Sequence, residues 1–133
     1  MEADFDNSIH WVFITDESGM ATIFPQVKTK LTTSGMHHVS VVYYSPNQIF
    51  NFRRELDILV RHYPTVLFTY LISTEVFDNF FQEHPELESI INANTMSQME
   101  FMICGNEEFC EKSAALLRFL DIQEITLQKS LFI

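Results

Sequence analysis

Glycine is scarce in this sequence, with three in 133 residues, and there are only four prolines, two cysteines and one tryptophan. Such a chain holds no linker, low-complexity segment or internal repeat, and each glycine becomes a candidate for a special backbone position. The two cysteines, Cys104 and Cys110, flank a turn at a spacing that fits neither a metal knuckle nor a disulfide scaffold, so reduced thiols are expected. Cationic residues are also few. Against 18 Asp and Glu stand 8 Lys and Arg, a formal charge of −10, which repels nucleic acid and anionic lipid. A phosphate-bearing ligand would therefore need backbone amides or a local basic cluster. No apolar run reaches the length of a membrane span, and the opening MEADFDNSIH lacks the basic and apolar parts of a signal peptide. A cytoplasmic chain with no membrane contact is expected.

What is present is a core. Hydrophobic residues make up 47% of the chain and phenylalanine alone numbers 13, which suits one packed domain spanning residues 1–133. The organising stretch runs from Met99 to Leu120. Met99, Phe101, Met102 and Ile103 form an apolar run, Cys104-Gly105-Asn106 breaks it, and Phe109, Ser113, Leu116, Leu117 and Leu120 recur at helical spacing. That pattern is a buried strand feeding a helix.

The rest of the chain repeats it. Trp11 to Ile14 reads as a strand, Thr15 to Gly19 as a turn, and Ile23, Phe24, Val27 and Leu31 as a helix ended by Gly35. Pro25 is expected in the first turn of that helix, where a missing amide proton matters least. Val39 to Tyr44 is a second strand, followed by a helix with Ile49, Phe52, Leu56, Leu59, Val60 and Tyr63 on one face and Arg53, Arg54, Asp57 and Arg61 on the other. Val66 to Ile72 is a third strand. Val76 to Phe81 reads as a Phe-rich turn, and Pro85 starts a helix carrying Leu87, Ile90 and Ile91. Ile125 to Ile133 reads as a last strand. Four strand-helix units and a fifth strand, without a hairpin signal, predict a doubly wound, mostly parallel five-stranded α/β sheet in the order 3-2-1-4-5, a Rossmann-like nucleotide-binding architecture.

In that order the first and fourth strands are neighbours, and Gly19 and Gly105 stand at their carboxyl ends. Two such turns mark the walls of one ligand crevice. A strand-to-helix turn favours glycine in any case, so spacing alone leaves the structural and the ligand-binding readings both open.

A family resemblance carries the argument further. FMICGNEEFCEKSAALLRFLDIQEITLQKSLFI, residues 101–133, resembles the end of the nucleotide domain of the ferredoxin-NADP reductase superfamily, where an apolar strand enters Cys-Gly-Pro, a helix and a last strand. HHVSVVYYSPNQIFNFRRELDILVRHYPTVLFTYLIS resembles that family's second strand, its Phe-Arg-x-Glu-Leu helix and its third strand. WVFITDESGMATIF falls where the family has a strand and a Gly-Gly-Thr-Gly-Ile-Ala-Pro loop. The resemblance implies an NAD(P)H-binding domain that positions nicotinamide for hydride transfer to a flavin. It places Ser18, Gly19 and Met20 in the phosphate loop, and Cys104, Gly105 and Asn106 beside the nicotinamide, with Cys104 adjacent to the reacting ring.

The departures from the pattern are specific. Asp16 and Glu17 replace the paired glycines, Thr22 replaces the loop proline and Asn106 the proline after Cys-Gly. Two carboxylates beside the expected pyrophosphate oppose its binding. Ser45-Pro46-Asn47 and Ser73-Thr74-Glu75 lack the arginines that hold a 2′-phosphate, so NADH is favoured over NADPH. Glu107, Glu108 and Glu111 already complement the positive end of the last helix. The family's flavin-holding barrel, with its Arg-x-Tyr-Ser type motif, has no counterpart beyond the near match Arg61-His62-Tyr63-Pro64. FAD or FMN is accordingly expected only through a partner domain or protein in trans. The alternative is a non-catalytic interaction module with a degenerate nucleotide site, and either reading predicts a partner or a homo-oligomer.

Other residues read more plainly. His37-His38 lacks a third metal ligand and suits a solvated strand start, and Asp16 and Glu17 suit turn and cap roles better than an acid-base pair. Cys104 and Cys110 suit packing, Lys28 and Lys30 a solvated surface, and Phe77, Phe80 and Phe81 core or edge cover.

Overall fold

The computed structural model describes residues 7–33, 35–46, 48–73, 85–122 and 124–129. Five strands, β1 (Ile9–Asp16), β2 (His37–Ser45), β3 (Leu67–Ser73), β4 (Gln98–Gly105) and β5 (Ile125–Lys129), alternate with four helices, α1 (Glu17–Leu31), α2 (Arg53–His62), α3 (Pro85–Ala93) and α4 (Glu107–Phe119). The sheet order is β3-β2-β1-β4-β5, and every pairing is parallel. This is the doubly wound sheet expected from the pattern. The Phe-rich turn at Val76 to Phe81 and the tail beyond Lys129 lie outside the described residues.

Strand alternation divides the core into two layers. Val12, Ile14, Val42, Tyr44, Phe101 and Ile103 face Leu87 and Ile90 of α3 and Phe109, Leu116 and Leu117 of α4. Phe13, Val39, Val41, Tyr43 and Cys104 face Met20, Ile23 and Val27 of α1 and Leu56 of α2. The central strands read as nearly continuous apolar runs because both faces are covered.

Three local expectations are corrected. Thr15 to Gly19 is not a free turn, because Asp16 caps α1 and the helix begins at Glu17. Pro25 therefore sits inside α1 rather than in its first turn. Pro25 and Ala21, whose carbonyl loses its helical donor, both lie on the exposed side, where water can replace the missing bond. Ile49 is not on the core face of α2; it precedes the helix, is 58% exposed, and its carbonyl accepts the Ser45 hydroxyl at 2.7 Å. Gly35 has a φ of +108°, in the region that favours glycine, although α1 already ends at Thr32.

Candidate functional site

The register pairs Thr15 of β1 with Cys104 of β4, so the next residues, Asp16 and Gly105, face each other at the strand ends. From there α1 turns onto one face of the sheet and α4 onto the other. A crevice opens between them at the topological switch point.

The Asp16 carboxylate closes the base of that crevice. Its Oδ1 accepts the Gly19 amide at 2.8 Å and the Ser18 hydroxyl at 2.7 Å, while Oδ2 accepts the Asn106 amide at 3.1 Å. One side chain thus caps α1 and bridges to the start of α4. Both glycines are required by this closeness rather than by their φ angles. A Cβ on Gly105 would lie 2.6 Å from Asp16 Oδ1, and one on Gly19 would collide with the Cys104 carbonyl oxygen. Asn106 in turn caps α4, its Oδ1 accepting the Phe109 amide at 2.8 Å.

Glu17 turns away toward β2. Its carboxylate accepts the Tyr43 hydroxyl at 2.6 Å and the Asn51 amide at 3.2 Å, and the Tyr43 oxygen accepts the Phe52 amide at 3.3 Å. Burial first, then the bond to Glu17, raises the Tyr43 pKa well above its ordinary value, so the phenol stays a donor. Above Asp16 remains a cleft of about 440 Å³, lined by Ser18, Glu17, Pro46, Asn106 and Glu108 with Tyr44 and Phe109 as its aromatic wall. Those two rings meet edge-on at 5.4 Å between centroids.

Of the residues expected at the site, Ser18, Gly19, Gly105 and Asn106 gather around Asp16. The Met20 and Cys104 side chains instead belong to the core under α1, both 0% exposed. Burial first, then the neighbouring Cys110 and Asp16, pushes the Cys104 thiol up to about 11, so it stays protonated at neutral pH. Tyr44 and Phe109 carry only strand and core signals in the sequence, and the Tyr43–Glu17 bond carries none because its partners are 26 positions apart. Among the described residues, no three His, Cys, Asp or Glu side chains converge as a metal site, and no helix is long and apolar enough to cross a membrane.

No protein-family model matches the sequence, and no curated protein does. Solved structures do match in fold. A ferredoxin-NADP+ reductase from Plasmodium falciparum aligns with 91% of this chain and 53% of its own, at a TM-score of 0.67 and 15% identity. The chain has the ferredoxin-NADP+ reductase fold. A ferredoxin-NADP+ reductase from Neisseria gonorrhoeae with bound FAD and NADP matches 98% of this chain and 59% of its own, with a TM-score of 0.63 and 17% identity. The CS-b5R domains of human Ncb5or, in an NAD+ form, match 98% of this chain and 39% of that one, at 0.66 and 12%. The chain thus spans roughly half the length of the solved chains it matches, consistent with the nucleotide-binding half of the ferredoxin-reductase fold.

On that fold a pyrophosphate would be expected at the amides that open α1. Here the Gly19 amide and the Asn106 amide across the crevice already donate to Asp16, and Asn106 itself satisfies the Phe109 amide. Glu17, Glu107 and Glu108 occupy the first turns of the two helices. Two backbone amides at the crevice are thus taken by a side chain of the protein itself.

Proposed function

We propose that this chain is a ferredoxin-reductase-type nucleotide domain that works as a non-catalytic interaction module, its dinucleotide seat closed by its own Asp16. The observation that carries the reading is the Asp16 carboxylate on the Gly19 and Asn106 amides. A pyrophosphate would have to displace it and then sit against Glu17 and Glu108, where like charges add repulsion. Partners of such a module include a flavin-binding domain or protein in trans, or a second copy of the chain.

The open cleft of about 440 Å³ above Asp16 favours a second reading, in which NADH enters with its nicotinamide near Gly105 and Asn106 and its pyrophosphate near Ser18 and Gly19. A nicotinamide bound there would supply hydride to a flavin held by the partner. This chain's own residues would bind and orient it, without acting as acid or base.

Calorimetric titration with NADH and NADPH separates the two. The module reading expects no heat from the native chain with either nucleotide and weak NADH binding acquired by Asp16→Gly, which frees both amides. Binding by the native chain at about 1 mM or tighter, competed by ADP-ribose, establishes the second reading instead.

A further inference from the structure

The outward face of α2 concentrates positive charge in an otherwise acidic chain. Arg53, Arg54 and Arg61 are three of the 8 Lys and Arg residues, against a formal charge of −10. All three are exposed. Asp57 stands one turn from both Arg53 and Arg61, the spacing of an i,i+4 ion pair, yet among the described residues it pairs with neither. The guanidinium groups keep their donors for an external acid.

Between them runs a groove of about 500 Å³, from Phe50 and Asn51 at one end to Arg61 at the other. Ile58 lies in it, 44% exposed, on the side of α2 away from Leu56 and the core. Positions 54, 58 and 61 share one helical face, and the rise of the helix sets Arg54 and Arg61 about 10 Å apart with the isoleucine between.

We infer that this groove docks an acidic segment of a partner protein, one presenting two carboxylates about 10 Å apart with an aliphatic or aromatic side chain between them. The inference rests on the reading of the chain as an interaction module and names the chemistry of one partner. Each arginine can take a carboxylate through paired N–H donors, which a lysine cannot do. Covering Ile58 adds the apolar burial that surface ion pairs need to become a stable contact. The chain's remaining acids do not forbid it. Asp57 lines the groove and Glu17 reaches its Asn51 end, and the three arginines along it outnumber them. A nucleic acid is a poorer occupant, since its continuous phosphate charge would meet the surrounding carboxylates.

The test is a peptide array probed with the full chain, varying the number and spacing of Glu residues and the presence of a central Leu or Phe. The strongest binder is then measured by fluorescence anisotropy. Expected are retention of peptides with two spaced acids around an apolar residue and loss of binding when Glu becomes Gln. Arg54→Glu with Arg61→Glu should weaken binding at least tenfold, Ile58→Ser should weaken it several-fold, and Lys112→Glu on α4 should leave it unchanged. Circular dichroism establishes that these surface variants are folded. An array without acidic selection, or equal binding by the double arginine variant, overturns the inference. NADH titration of the same sample keeps the two proposals separate. Heat with NADH overturns the module reading alone, and a silent titration with a failed array overturns this one alone.

Discussion

Asp16 and Gly105 are fitted to each other across the ends of β1 and β4: the carboxylate occupies the space a Cβ on Gly105 would need, with Oδ1 2.6 Å from that point. Gly105→Ala must push the carboxylate off the Gly19 and Asn106 amides, and a cost of about 1–3 kcal/mol is expected. Asp16→Ala loses the α1 cap, at about 0.5–2 kcal/mol. The double variant should cost less than the sum, because the alanine at 16 removes the clash. Urea denaturation of the four proteins measures this, and strict additivity would contradict the fitted geometry.

Gly19 and Gly35 should respond differently to alanine. At Gly19 the obstacle is the Cys104 backbone carbonyl, which cannot swing aside, so Gly19→Ala should lower the melting temperature severely or prevent folding. At Gly35 nothing lies within 4 Å, and only the φ of +108° opposes a side chain. Gly35→Ala should cost about 1–2 kcal/mol, read from the same denaturation curves.

Acid should destabilise the fold through His10. Its Nδ1 lies 3.1 Å from Asn94 Oδ1 and its Nε2 2.7 Å from Ser40 Oγ. Asn94 donates its amide hydrogen to the Met96 carbonyl, which leaves Oδ1 as the acceptor for His10 and assigns the ring hydrogen to Nδ1. Burial lowers the His10 pKa from 6.5, His38 lowers it further, and the Asn94 bond works against both. The folded state thus binds this proton less readily than the unfolded state. Stability is complete above about pH 6.5 and falls as the pH drops toward the folded pKa. His38, also lowered by burial and by His37, acts in the same direction. Urea midpoints at about pH 8 and pH 5.5 should show the loss, and His10→Gln should reduce it without abolishing it.

Both thiols should be silent in the folded protein. Cys104 is 0% exposed with its pKa raised, and Cys110 is 6% exposed with its sulfur 3.6 Å from the Gly105 carbonyl oxygen. A disulfide-exchange reagent at neutral pH should label neither residue until urea unfolds the chain, then both. Rapid labelling of Cys104 in the native state would place its thiol at the crevice instead.

Much of the architecture was legible in the chain itself. Runs such as Val39 to Tyr44 and the recurrence of Phe109, Leu116 and Leu117 encode strand or helix locally, since covered parallel strands are apolar throughout and a helix shows one apolar stripe. The turn-like composition of Thr15 to Gly19 places the start of α1 too late, because an Asp reads equally as turn or cap until the amide it accepts is known. The positions of Pro25 and Ile49 differ from expectation for a similar reason. Their placement depends on where the neighbouring helix begins and which side of it meets water.

The sequence by itself determined the five-stranded doubly wound sheet, the two glycine turns at one crevice and the acidic residues beside it, because periodicity, composition and glycine position are local properties. Only the tertiary structure decided what those acids do. Asp16 and Asn106 are 90 positions apart, and the register of β1 on β4 is what brings the carboxylate onto the Asn106 amide. Glu17, its immediate neighbour, is drawn the other way by Tyr43. A hydrogen bond between distant segments leaves no periodic trace in a chain, so the bridge from Asp16 to Asn106 became visible only when the strands were paired.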